Sequence, residues 1–323
     1  MAEQQPRINR RNVLLVAGGL GIGWASRSSP AQAGEEGPGR ALRPPGRPYQ
    51  TTVTTTDGAG IHVVDTGGHG PVVLLLGGWC MSTPWWREQL SGLADRFRVV
   101  AIDARAYGES EKVGHGHRIA RHAADVRDVV DALGLRGVTL VGWSLAANTI
   151  LAYLEQYGPY RLARAVYLEM SPYPNNRPSY PVPDPDWELG YADVAAEREF
   201  LDAWRADPRA VAADLVDAMF AEPVAASDKA WMVDEILKTP VRAAAEIEWS
   251  TFHSDWRAMV PAVELPVLVL SGKQSRVYPN AVGEWMAQHL PDARWHVFTR
   301  SAHCPFLEEP EEFNQVLADF AGR

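Results

Sequence analysis

Short apolar runs alternate with helix-length segments along most of this chain, and that alternation limits the fold more than any other feature. A threonine-rich run, Tyr49–Thr56, the turn DGAG and a second run, Ile61–Thr66, read as a hairpin. An apolar strand, Val72–Leu76, follows and ends in Gly77-Gly78. A helix opens near Pro84, then come strand Arg98–Ile102, helix Arg118–Leu133, strand Val138–Val141, a helix to about Tyr157 and strand Ala165–Glu169. Such a succession predicts an α/β domain in which a mostly parallel sheet is covered by helices on both faces.

The pattern breaks at Ser171. The stretch SPYPNNRPSYPVPDPDW carries six prolines in 17 residues, and proline removes amide donors and fixes φ, so regular structure cannot run through it. Helical stretches then extend from about Asp193 to Trp249. Strand signal returns at Pro266–Leu270, and a helix near Ala281–Leu290, a strand Arg294–Phe298 and a helix from Glu311 close the chain. Residues 172–256 therefore read as a helical cap inserted into a core formed by residues 49–171 and 257–323. No internal repeat is present.

The first 48 residues read as export and linker rather than fold. Arg10-Arg11 precedes the apolar run Val13–Ala25, and Ala31-Gln32-Ala33 supplies a small-residue cleavage site. This is the layout of a secretory signal, residues 1–33, and the paired arginines resemble the twin-arginine type. The apolar run is short for a membrane span of about 20 residues, so no stable span is expected after cleavage. Residues 34–48, GEEGPGRALRPPGRP, have the composition of a flexible linker. The net charge of -9, with no dense basic stripe, makes nucleic acid a poor partner. The only two cysteines, Cys80 and Cys304, exclude a disulfide framework and a cysteine-rich zinc site. Pairing between them after export stays open.

Candidate chemistry centres on LVGWSLAANT, residues 140–149. Ser144 follows a strand and precedes a helix, with Gly142 two residues before it and Ala146 two after. A sharp strand-to-helix turn needs small residues at those places because the backbone and its neighbours crowd there. The competing role is a helix N-cap serine. A serine hydroxyl needs a base to attack, and His303, just after the last strand in FTRSAHCPFLEEP, is placed for it. His115, His117 and His122, in and after a GHGH loop, lack a carboxylate or cysteine at ligand spacing and read as solvated, so neither a metal nor a cofactor is expected. The oxyanion donors would be the amide of Leu145 and, from the loop LLLGGWCMS, that of Trp79, with Cys80 the alternative.

Taken with DARAYGES at 103–110, PVLVLSG at 266–272 and SAHCPFLEEPEEF at 301–313, these pieces resemble the α/β-hydrolase superfamily over about residues 50–323. The resemblance implies an eight-stranded sheet, Ser144 as nucleophile, His303 as base, and Leu145 and Trp79 at the oxyanion hole. Gly77 stands where the family usually has histidine, and Ala106 where it has glycine. The family's acid usually follows the PVLVLSG strand, but Ser275 occupies that place. Some branches, including certain haloalkane dehalogenases and zearalenone-type lactonases, carry the acid after the strand before the cap, which here is Glu169. The alternatives are a Glu169 paired with an arginine, Asp255 as the acid, or a dyad completed by water. Glu308 reads as support for the histidine loop.

A serine rather than an aspartate at the elbow points to acyl transfer. The first reading is a serine hydrolase of carboxylic esters or lactones. The others are a cofactor-free perhydrolase (haloperoxidase-type) or carbon–carbon hydrolase on the same residues, and a binding protein on a degenerate hydrolase fold. Five of the 12 tryptophans, Trp187, Trp204, Trp231, Trp249 and Trp256, lie in the insertion. Trp79, Trp143 and the pair Trp85-Trp86 are candidates for the pocket floor. Together they point to a small apolar or aromatic substrate.

Overall fold

The computed structural model describes residues 48–175 and 189–322. The signal segment, nearly all of the linker, Trp187 and most of the proline-rich stretch lie outside the described residues. Eight strands form one sheet: β1 (Tyr49–Thr54), β2 (Gly60–Asp65), β3 (Val72–Leu76), β4 (Arg98–Ile102), β5 (Val138–Trp143), β6 (Leu162–Leu168), β7 (Val267–Gly272) and β8 (Ala293–Phe298). Their spatial order is β1-β2-β4-β3-β5-β6-β7-β8. The hairpin pairs β1 with β2 antiparallel, Thr54 opposite Gly60, and β2 runs antiparallel to β4; the remaining pairs are parallel.

The central strands VVLLL, RVVAI and VTLVGW are buried almost throughout, as expected where helices cover both faces of a parallel sheet. The covering helices of the core are α1 (Arg87–Gly92), α2 (Ile119–Ala132) and α3 (Leu145–Tyr157). Between β6 and β7 the chain inserts α4 (Val194–Ala206), α5 (Pro208–Met219), α6 (Ala226–Ile236) and α7 (Val241–Phe252). Helices α8 (Asn280–His289), α9 (Pro305–Glu308) and α10 (Pro310–Ala321) complete the fold. The Asp193 carboxylate caps α4 by accepting from the amides of Ala195 and Ala196 at 2.9 Å, which explains why helix resumes there. No helix among the described residues is long and apolar enough to cross a membrane.

Two boundaries matter for the site. β5 continues two residues past Val141, to Trp143, and α3 starts at Leu145, so Ser144 alone makes the turn. β6 ends at Leu168, one residue before Glu169. The strand order reverses at β3, whose two neighbours are β4 and β5, and the loops leaving β3 and β5 part there. In open α/β sheets that crevice at the carboxyl ends of the strands is where ligands bind.

Candidate active site

Ser144 is held at φ +54° and ψ -132°, a conformation that costs a non-glycine residue about 1–3 kcal/mol and persists only where its surroundings enforce it. They do so here. The Ser144 amide donates to the Leu168 carbonyl at 2.8 Å, extending the β5–β6 ladder to the turn itself. A Cβ at Gly142 would lie 2.5 Å from the Ala146 carbonyl, so the tight turn requires glycine there. A Cβ at Gly78 would lie 3.0 Å from that of Ser144, so the loop after β3 rests directly on the serine. Leu145 opens α3, and its amide is one of the first-turn donors that no helical carbonyl satisfies. Trp79 follows Gly78 in the loop, and its indole Nε1 donates to the Ala244 carbonyl of α7 at 2.9 Å.

His303 lies in the loop between β8 and α9, 3% exposed. Its Nδ1 pairs with Glu169 Oε2 at 3.1 Å. Glu169 is likewise buried and takes φ +52° just past β6. Its amide donates to the Leu270 carbonyl at 3.1 Å, its Oε1 accepts from the Gly272 amide at 2.8 Å, and its Oε2 accepts from the Ser275 hydroxyl at 2.7 Å. The carboxylate's partners are thus the last residue of β7, the turn that follows it and the imidazole; no arginine is among them. Ser275, which has no charge to offer the imidazole, thus contacts its partner instead.

The histidine loop is fixed from several sides. The His303 amide donates to the Met219 carbonyl at the end of α5 at 2.9 Å, and the Trp143 indole donates to the His303 carbonyl at 3.0 Å. Glu308 accepts from the amides of Ala302 at 2.9 Å, Cys304 at 3.3 Å and Ala221 at 2.7 Å, which ties the loop to the insertion as well as to itself. Burial nonetheless raises its pKa above the usual carboxylate value.

Ser144, Leu145, Trp79 and His303 all border one cavity of about 520 Å³. The inserted helices supply its far walls, through Phe200 of α4, Leu215 and Met219 of α5 and Thr251 of α7. Four carboxylate residues, Glu197, Glu199, Asp202 and Glu248, also border it. The Tyr191 hydroxyl donates to Glu248, whose pKa is raised by burial. Nothing in the sequence pattern singled these four out, because which face of α4 and α7 meets the cavity depends on how the insertion docks.

Other sequence expectations fare differently. Asp255 is tied to Arg257 on the surface at 2.7 Å and does not face His303. Of the histidines read as solvated, only His115 is. His117 is buried, with its ring bonded to Glu246 at 2.8 Å and to the Val113 carbonyl at 3.0 Å. His122 is buried against Tyr107 and, desolvated and near Arg105, has its pKa lowered to about 3. Its place at the third position after Ile119 and the fourth before Val126 put it on the inward face of α2, a signal the loop-like neighbourhood obscured. Among the described residues no group of three or more histidine, cysteine or acidic side chains is arranged to hold a metal ion. Cys80 and Cys304 are both free, buried thiols, with pKa values raised by burial.

The tryptophans divide. Trp79 and Trp143 border the cavity, whereas Trp85 and Trp86 are fully buried behind it, packed on Trp143 at 5.5 and 6.2 Å between ring centroids. Trp204 backs Trp79 edge-on at 4.8 Å, Trp231 backs Trp85 at 5.4 Å, and Trp249 is exposed and stacked on His253. Trp204 and Trp231 therefore support the pocket from behind, and none of the insertion's described tryptophans lines it.

The family model described as alpha/beta hydrolase fold matches residues 71–310. The chain is 29% identical over 260 residues to a pimeloyl-[acyl-carrier protein] methyl ester esterase of Nitrosomonas europaea, covering 79% of this chain and 97% of that one. It is 27% identical over 286 residues to the non-heme chloroperoxidase CPO-A1 of Kitasatospora aureofaciens, covering 84% and 98%. Among solved structures, an esterase from Exiguobacterium antarcticum superposes with a TM-score of 0.79 at 23% identity, over 85% of this chain and all of that one. With the matched region spanning most of the sheet and every residue that borders the serine, the chain belongs to the α/β-hydrolase family and is a hydrolase built on that fold.

Proposed function

We propose that the protein is a serine hydrolase that cleaves a carboxylic ester or lactone of a small, apolar or aromatic substrate. The observation that carries this reading is the strained Ser144 on the wall of the cavity shared with His303, whose other ring nitrogen is held by Glu169. Ser144 Oγ attacks the carbonyl carbon while His303 Nε2 takes its proton. The resulting imidazolium is stabilised by the Glu169 carboxylate, which also keeps the Nδ1 proton on the side away from the serine. The amides of Leu145 and Trp79 receive the oxyanion. Collapse expels the alkoxide, which leaves as the alcohol with the proton from His303. Water, deprotonated by the same imidazole, then releases the acid from Ser144. In a lactone the alcohol and the acid belong to one molecule.

The test is proton release from a panel of short-chain aryl esters and aromatic lactones, with Ser144→Ala as control. Turnover that disappears in the variant supports the reading; turnover that survives it removes Ser144 as nucleophile. The likeness to a chloroperoxidase favours a second use of the same acyl-enzyme, in which hydrogen peroxide replaces water and the product is a peracid. Peracid formation from acetate and peroxide measures it. We also propose export by the twin-arginine route, on the strength of Arg10-Arg11, the run Val13–Ala25 and Ala31-Gln32-Ala33. Changing Arg10-Arg11 to Lys-Lys then leaves the protein in the cytoplasm, and unchanged export contradicts the route.

A further inference from the structure

We propose that Ser275 is a positioning residue for the acid: its hydroxyl, with the Gly272 amide, fixes the Glu169 carboxyl plane so that Oε2 faces His303. This inference rests on the hydrolytic reading above. A glutamate carboxylate swings freely about its last torsion unless both oxygens are engaged. Here Oε1 is engaged by the Gly272 amide at 2.8 Å, and Oε2 by Ser275 Oγ at 2.7 Å and His303 Nδ1 at 3.1 Å. Two of the three donors are fixed at the end of β7 and in the turn that follows it, so the carboxylate is set before the imidazole charges.

Ser275 is itself oriented. Its amide donates to the Gly272 carbonyl at 3.1 Å, which places it in a turn, and its Oγ accepts from the Tyr278 amide at 3.2 Å. With the oxygen accepting there, the hydroxyl proton is left to point at Glu169. The backbone adds a reason for such support. Glu169 sits at φ +52°, a region that side chains occupy only when held. Glu169 must also reach the imidazole from one residue beyond β6, rather than from the turn after β7 where Ser275 stands. The neighbouring strand therefore contributes the hold while β6 contributes the charge.

The experiment compares Ser275→Ala and Ser275→Thr in the wild-type and Glu169→Gln backgrounds, with kcat and KM on an aryl ester that the enzyme turns over, and thermal melting to confirm folding. A hydrogen bond to a charged group has the strength to change kcat by about 10-fold or more. The expected result is such a fall in kcat for Ser275→Ala with KM nearly unchanged, and recovery to within about threefold in Ser275→Thr, which keeps the hydroxyl. In the Glu169→Gln background, Ser275→Ala causes little further loss, because residues acting through one another are not additive. A wild-type kcat in Ser275→Ala, or the same fold loss in both backgrounds, overturns the inference. If Ser144→Ala abolishes turnover while Ser275→Ala does not alter it, only this inference fails. Turnover that survives Ser144→Ala overturns the hydrolytic reading and this inference with it.

Discussion

Replacing Glu169 with glutamine keeps the side chain's shape and removes its charge. The carboxylate stands 3.1 Å from His303 Nδ1, with both groups 3% exposed at the side chain. At an effective dielectric constant of about 20, unit charges whose centres lie about 4 Å apart attract by roughly 4 kcal/mol. That attraction acts on the imidazolium, which exists in the transition state and not in the resting enzyme, so it is lost from kcat: about 10³-fold at 1.4 kcal/mol per decade. Hydrogen bonding adds a second penalty. Both carboxylate oxygens accept, Oε1 from Gly272 and Oε2 from Ser275 and His303, whereas an amide offers one acceptor. If its NH₂ faces Gly272, two donors meet in a buried place. If it faces His303, the ring answers with a bare Nδ1 and carries its proton on Nε2, the tautomer that cannot accept from Ser144. Initial rates on an aryl ester, with melting curves for both proteins, measure the effect. KM stays close to wild type, because Glu169 does not border the cavity. A Glu169→Gln variant that folds and retains kcat within tenfold of wild type refutes the assignment.

Two further predictions concern the scaffold. His122 is neutral when folded, with a pKa of about 3 against about 6.5 unfolded. Between those values the unfolded chain binds the extra proton, so His122 lowers stability as pH falls from about 6.5 towards 3, by up to about 1.4 kcal/mol per pH unit. Denaturant titrations of His122→Asn across that window are expected to show a shallower loss than wild type; an unchanged slope contradicts it. Gly272→Ala places a Cβ 1.7 Å from the Ala302 carbonyl beside His303. Backbone must shift there, so a lower melting temperature and a reduced kcat are expected together, and a variant with both unchanged would show that the loop yields more easily than its contacts imply.

What the sequence made legible was local. Apolar runs such as VVLLL and VTLVGW mark buried strands because each is covered on both faces. Gly142, Ser144 and Ala146 mark the turn because its crowding acts within five residues of chain. Glu169 was legible as a carboxylate at a strand end, and His303 as a histidine after the last strand. What was not legible depends on elements distant in sequence. Ser275 meets Glu169 only because β6 and β7 are neighbours across the inserted segment that carries α4 to α7. The same holds for Glu197 and Glu248 on the cavity wall and for Trp85 and Trp86, whose places behind Trp143 follow from docking rather than from pattern.

Covalent capture decides whether Ser144 is the nucleophile. The purified protein is treated with a fluorophosphonate ester, which transfers its phosphonyl group to an activated serine with loss of fluoride. Intact mass, peptide mapping and residual ester turnover are followed in parallel. A single adduct is expected on Ser144, formed in step with loss of turnover and absent from Ser144→Ala. An adduct on another residue that tracks the loss, or turnover that persists with Ser144 fully modified, contradicts it.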